Sequence, residues 1–158
     1  MGLRLVQFLA LILIALALVP AGAHLFELPN KIGLPQNQYF VVQNIYRGWA
    51  LFGFVLFGAL GASLLLAILL RGRGAAFWLA LGGFLLITAT LAIFFTWTFP
   101  ANQATNNWTV VPPNWESLRT QWEYAHAANA VLTFLALCFV AASNLLVRDQ
   151  PRETAARG

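Results

Sequence analysis

Two uncharged apolar stretches, Trp49 to Leu70 and Ala75 to Trp97, are separated only by Arg71, Gly72, Arg73 and Gly74. Each exceeds the roughly 20 residues that a helix needs to cross the hydrocarbon core of a bilayer. In lipid the backbone has no water to bond, so an apolar run of this length satisfies its N–H and C=O groups as a helix. The short basic turn then makes these two helices antiparallel neighbours. A third apolar run lies between Phe8 and Val19, and a fourth follows Trp122. Composition agrees: 60% of the 158 residues are hydrophobic and 9% charged, where a soluble domain carries about a quarter charged residues.

The expectation is an all-α membrane protein, an antiparallel bundle of four transmembrane helices with polar outer loops. The spans fall at about 3–26, 49–70, 75–97 and 122–147, the outer loops at 27–48 and 98–121, and a loose tail at 148–158. Gly53, Gly58, Gly61 and Ala62 in the second span are read as places where neighbouring helices approach closely. Thr88, Thr90, Thr96 and Thr98 are read as hydroxyls bonding back to their own helix. The first 23 residues carry two readings. Arg4, the apolar run and the small residues Ala21 to Ala23 resemble a signal peptide cut before His24, while the length from about Leu3 to Phe26 suits a first membrane helix. The latter is preferred, because a fourth helix gives the other three a packing partner.

The formal net charge of +4 comes from arginines that flank the apolar runs. It excludes nucleic-acid binding as an explanation and serves instead as an orientation signal. Arg4, Arg71, Arg73, Arg148, Arg152 and Arg157 mark one side, which places both termini and the middle turn in the cytoplasm of a plasma or inner membrane. The two long loops face outward. Cys138 is the only cysteine, so disulfides and thiolate clusters are excluded within the chain.

Chemistry concentrates at the outward end, above all in WESLRTQWEYAHAAN, Trp115 to Asn129. Pro112 and Pro113 stop the preceding segment, Asn114 suits an N-cap, and Glu116 suits the positive end of a helix dipole. Steps of three and four residues set Glu116, Arg119, Glu123 and His126 on or near one stripe, with Trp115, Trp122 and Asn129 beside it. After Pro35, Tyr39, Val42, Ile45, Tyr46 and Trp49 share a helical side, so the second helix is expected to begin outside the membrane.

Each histidine has a glutamate three residues away, His24 with Glu27 and Glu123 with His126. If the first and fourth helices are adjacent, these four converge as nitrogen and oxygen ligands for a single transition metal ion. The second and third helices contain no acid, so a di-iron set is excluded. Cleavage before His24 would leave a new N-terminal amine and imidazole able to take copper. A metal-free polar pocket for a lipophilic small molecule and a purely structural ion-pair network, with Arg119 or Arg47 neutralising the glutamates, remain beside the metal reading. Trp49, Trp97, Trp108, Trp115 and Trp122 suit an aromatic belt at the membrane boundary. Asn102, Gln103, Asn106 and Asn107 tie down the second loop or bind a ligand, and Asn107 with Thr109 forms a glycosylation sequon.

With Asn106, Asn107 and Trp108 in the second loop, and Trp122 followed four residues later by His126, the chain resembles the anthrone oxygenase-like family of small four-helix membrane proteins, largely a domain of unknown function. In that family an asparagine and a tryptophan in the second outer loop precede a tryptophan, a histidine and a basic residue on the last helix. Asn129 stands here where the basic residue is expected. The resemblance implies oxidation of a lipophilic or aromatic small molecule by dioxygen, without a dedicated cofactor in some members. It makes His126, oriented by Glu123, the base and Arg119 or Arg47 the anion stabiliser, with Asn106, Asn107, Trp108, Trp122 and Asn129 around the substrate. The rival from another class is a non-enzymatic membrane protein that binds a small molecule or contacts a partner subunit through its outer cap.

Overall fold

A computed structural model describes residues 2–148, and within them the fold is all-helical. The expected tail, including Arg152 and Arg157, lies outside the described residues. Helix α1 is Gly2–Lys31, α2 Gln36–Gln43, α3 Phe52–Leu69, α4 Ala75–Ile93, α5 Phe99–Ala104 and α6 Trp115–Arg148. Four helical stretches, Gly2–Lys31, Trp49–Leu69, Ala75–Ala104 and Trp115–Val147, are long and apolar enough to cross a membrane, the mark of an integral membrane protein.

Three boundaries differ from the sequence reading. Helix α1 does not stop near Phe26 but continues through Pro29 to Lys31. A proline removes one backbone donor, and the bonds of Lys31 to Glu123 on α6 and to Tyr46 hold the last turn beyond that loss. The second helix is not continuous from Pro35 into the apolar span. Single 3₁₀ turns at Asn44–Tyr46 and Trp49–Leu51 flank a break at Gly48, whose φ of 89° needs glycine. The third apolar stretch passes through a π turn at Phe94–Thr98 into α5, so residues 99–104 are helix rather than loop.

Small residues set the spacing of the core, in which Ala10, Ala59, Ala80 and Ala136 are fully buried with Ile14, Leu66 and Ile87. The close approach falls only in part where expected: a Cβ on Gly58 would stand 3.4 Å from Leu13 Cδ1 on α1, an ordinary contact. Gly53 and Gly61 have open space where a Cβ would stand, whereas a Cβ on Gly83 would lie 2.7 Å from Val140 Cγ2 and 3.3 Å from the Ala136 carbonyl oxygen. The tightest glycine contacts are therefore on α4, against α6. Large apolar side chains such as Phe8, Val19, Phe54 and Trp78 point outward, a surface suited to lipid. Thr88 and Thr90 bond back to Phe84 and Ile87 carbonyls, while the buried Thr98 hydroxyl has no protein partner.

A second cluster lies at one end of the helices, where α2 and the α5–α6 connection cover the end of α1 and the start of α6. Tyr39, Ala101, Trp108 and Trp122 are buried there. The connection is shaped by three consecutive residues at positive φ, Asn106 (47°), Asn107 (54°) and Trp108 (63°). Asparagine tolerates this region and tryptophan does not, so Trp108 is held by others. Its N–H donates to Thr105 Oγ1 and its indole N–H to Asn102 Oδ1.

Candidate functional site

Continuation of α1 to Lys31 sets His24, Glu27 and Lys31 at steps of three and four residues, hence on one helix face. On α6, Trp122, Glu123 and His126 turn to meet them. Lys31 Nζ lies 3.1 Å from Glu123 Oε1 and 3.7 Å from Glu27 Oε2, with Lys31 3% and Glu123 0% exposed. The ammonium also donates to the Tyr46 hydroxyl at 2.5 Å and stands over the Tyr46 and Trp122 rings, 4.3 and 4.7 Å from their centroids. Tyr39 donates to Glu123 Oε1 at 2.7 Å and accepts from Gln43 Nε2 at 2.5 Å, and Tyr46 donates to Glu27. Burial pushes both phenols well above the usual tyrosine range, with the Glu123 charge adding at Tyr39 and the Glu27 hydrogen bond adding at Tyr46. They remain protonated donors.

Beside this network the two histidines meet. Their ring centroids are 4.1 Å apart with planes tilted by 35°. His24 also faces Tyr46 at 4.4 Å, Trp122 at 5.0 Å and Trp49 at 5.4 Å, and His126 lies 4.1 Å from Trp122. Aromatic rings thus wall both imidazoles. Buried polar atoms here without a hydrogen-bond partner in the protein include His24 Nδ1, Glu123 Oε2 and Gln43 Oε1.

The expected catalytic set is brought together only in part. Glu123 bonds Lys31 and Tyr39 rather than His126. Arg119 donates to the Leu34 carbonyl at 2.8 Å and stacks on Trp115, its carbon 4.6 Å from the ring centroid. Arg47 is exposed and bonds Asn44. Of the expected substrate contacts, Trp122 and Trp108 are buried at the site, Asn106 and Asn107 are exposed on the loop, and Asn129 carries a buried Oδ1 without a protein partner. Glu116 is exposed.

His24, Glu27, Glu123 and His126 do not converge as one donor set, and no group of three or more His, Cys, Asp or Glu among the described residues is placed to hold a metal ion. The imidazoles meet, but both carboxylates face Lys31. An ion gaining a carboxylate would have to displace that ammonium.

The residues missed from sequence are Lys31 and Gln43, and the signal was present in the three-four spacing of His24, Glu27 and Lys31. It was hidden by Pro29, which argues for a helix end. Asn102 has a sharper role than loop support, because its Oδ1 accepts from the indoles of both Trp108 (3.2 Å) and Trp122 (2.8 Å). Asn102→Leu strands two buried donors, and a loss of about 2 kcal/mol is expected by unfolding in detergent. Asn102→Asp, which keeps the acceptor, is expected to lose less; equal stability of wild type and Asn102→Leu would remove this role.

The fold and site together define a class: a helical protein with four helices fit to cross a membrane and, at one end, a histidine pair walled by aromatics beside a buried lysine–carboxylate network. No family model, curated protein or solved structure matches the chain.

Proposed function

We propose that the chain is an integral membrane oxidoreductase of the anthrone oxygenase-like type, acting on a lipophilic or aromatic small molecule at the outer mouth of an antiparallel four-helix bundle. In this reading both termini and the 71–74 turn are cytoplasmic, as the arginine distribution favours. Contacts of His24 near the end of α1 with Trp49 just before α3, and with His126 in the first third of α6, support that arrangement.

The observation that carries the reading is the aromatic-walled histidine pair with its unpartnered Nδ1. Rings of this kind stack on an activated aromatic compound, and an imidazole is a fitting base for an acidic ring carbon or phenol. The proton goes to the pair. The carbanion left behind adds to dioxygen, the oxidant that the resemblance implies, to give a hydroperoxide, and loss of water with cleavage of its C–H and O–O bonds leaves the ketone. Because Glu123 is held by Lys31, His24 rather than Glu123 is the neighbour that orients His126.

The test is oxygen uptake by the detergent-purified protein with anthrone as probe. Wild type is expected to exceed empty micelles, and His126→Ala to lose about 100-fold or more, the usual contribution of a general base. An unchanged rate in His126→Ala of equal helicity overturns the assignment. A second reading, a non-enzymatic binder or partner subunit, is favoured by one observation: both glutamates are paired within the site with Lys31, which leaves neither beside a histidine as its acid or base partner. Tryptophan quenching by anthrone without oxygen uptake supports a binder.

A further inference from the structure

A cleft of about 730 Å³ opens between the π turn after α4 and the side of α6 away from the histidine pair. It falls within the size range of small-molecule sites. Ser117, Thr120, Gln121 and Tyr124 line one end, and Ile93, Ala125 and Ala128 the other, with Trp97 along the wall. From Ser117 to Ala128 the helix rises about 16 Å at 1.5 Å per residue. Along that length the lining passes from hydroxyl and amide groups to small apolar ones.

This polarity gradient has a direction. Ser117 lies nearest the start of α6 and the boundary, and Ala128 lies deeper in the apolar span. An occupant must have a hydrogen-bonding head toward the boundary and an apolar chain toward the bilayer centre. No lining residue is charged, so a head with a net charge finds no counter-ion, while oxygen acceptors find the Ser117 and Tyr124 hydroxyls; the Thr120 hydroxyl already donates to the Glu116 carbonyl at 2.9 Å. Gln121 fixes the mouth, because its Nε2 donates 2.7 Å to the Trp97 carbonyl and ties α6 to the π turn. Ala128 is exposed and offers no side chain beyond Cβ, which leaves a trough where Leu or Phe would make a ridge.

We propose that this cleft is a binding site for one zwitterionic glycerophospholipid, with its ester and phosphate oxygens at Ser117 and Tyr124 and an acyl chain over Ala125 and Ala128. The site rests on the membrane reading and not on the oxidoreductase one. It lies on the opposite side of α6 from His126, so a lipid there braces the start of α6 without touching the histidine pair.

The experiment equilibrates the detergent-solubilised protein with equal amounts of phosphatidylethanolamine and phosphatidylglycerol, repurifies it, and measures retained lipid by mass spectrometry. Wild type is expected to keep near-stoichiometric phosphatidylethanolamine. Ala128→Trp, which fills the trough, and Ser117→Ala with Tyr124→Phe, which removes two hydroxyls, are each expected to bind about tenfold more weakly, a difference of about 1.4 kcal/mol. No retained lipid in wild type, equal retention in both variants, or preference for phosphatidylglycerol overturns the site. Partition of each protein into micelles is followed in parallel. A protein that stays in the micelle yet keeps no lipid overturns the cleft alone, and one that leaves the micelle overturns the membrane reading.

Discussion

Lys31→Met is expected to destabilise the protein by about 3–5 kcal/mol, the cost of breaking a buried ion pair by removing one partner. The ammonium is 3% exposed and Glu123 0%, with 3.1 Å between them. Without it, Glu123 keeps the Tyr39 hydroxyl and no cation in contact, and its Oε2 already lacks a partner. Glu27 keeps only Tyr46. The cost lies in the stranded charge, so Lys31→Met with Glu123→Leu is expected to recover most of the loss. Unfolding titrations in mixed micelles measure all three proteins, and a Lys31→Met value within about 1 kcal/mol of wild type would show that the network does not hold the fold.

The same substitution has a dynamic readout. Tyr39, Gln43 and Tyr46 reach α1 and α6 through hydrogen bonds of this network. Cutting it lowers the free energy for opening the covering segment, so amide hydrogen exchange over residues 36–46 is expected to accelerate more than exchange in α4. Uniform acceleration would assign the network to global stability alone.

Gly83→Leu is the second large effect, expected at about 3 kcal/mol, the upper part of the range for overpacking. Even the first added carbon meets Val140 Cγ2 at 2.7 Å and the Ala136 carbonyl at 3.3 Å. Val140 is β-branched and stiff, and the carbonyl is backbone, so neither yields without moving α6 away from α4. In lipid, helix association depends on such close packing. Gly82 is the comparison: its added carbon meets the Phe139 ring at 2.7 Å, a side chain able to swing outward because it is 37% exposed. Gly82→Ala is expected to cost less than Gly83→Ala, and the reverse order would place the contact on the other glycine.

Much of the architecture was legible in the chain. Four apolar runs became four helices of crossing length because a backbone in lipid has no other partner than itself. Helix α6 begins at Trp115, where two prolines and Asn114 end the loop, and its Trp122, Glu123 and His126 do share an inward side. Local rules reached this far because capping and periodicity act over one or two turns.

Other features needed the third dimension. Pro29 argues locally for a helix end, and contacts across the fold, Lys31 with Glu123 on α6 and with Tyr46, hold α1 on to Lys31. With that extension, Lys31 takes the glutamates that spacing alone had given to the histidines or to Arg47 and Arg119. Which of two nearby cations a carboxylate chooses is decided by distance and burial across helices, at separations such as the 92 residues between Lys31 and Glu123. The apolar runs by themselves determined that this protein is built of membrane-length helices; that His24 and His126 touch, and that their glutamates do not serve them, was decided by how those helices pack.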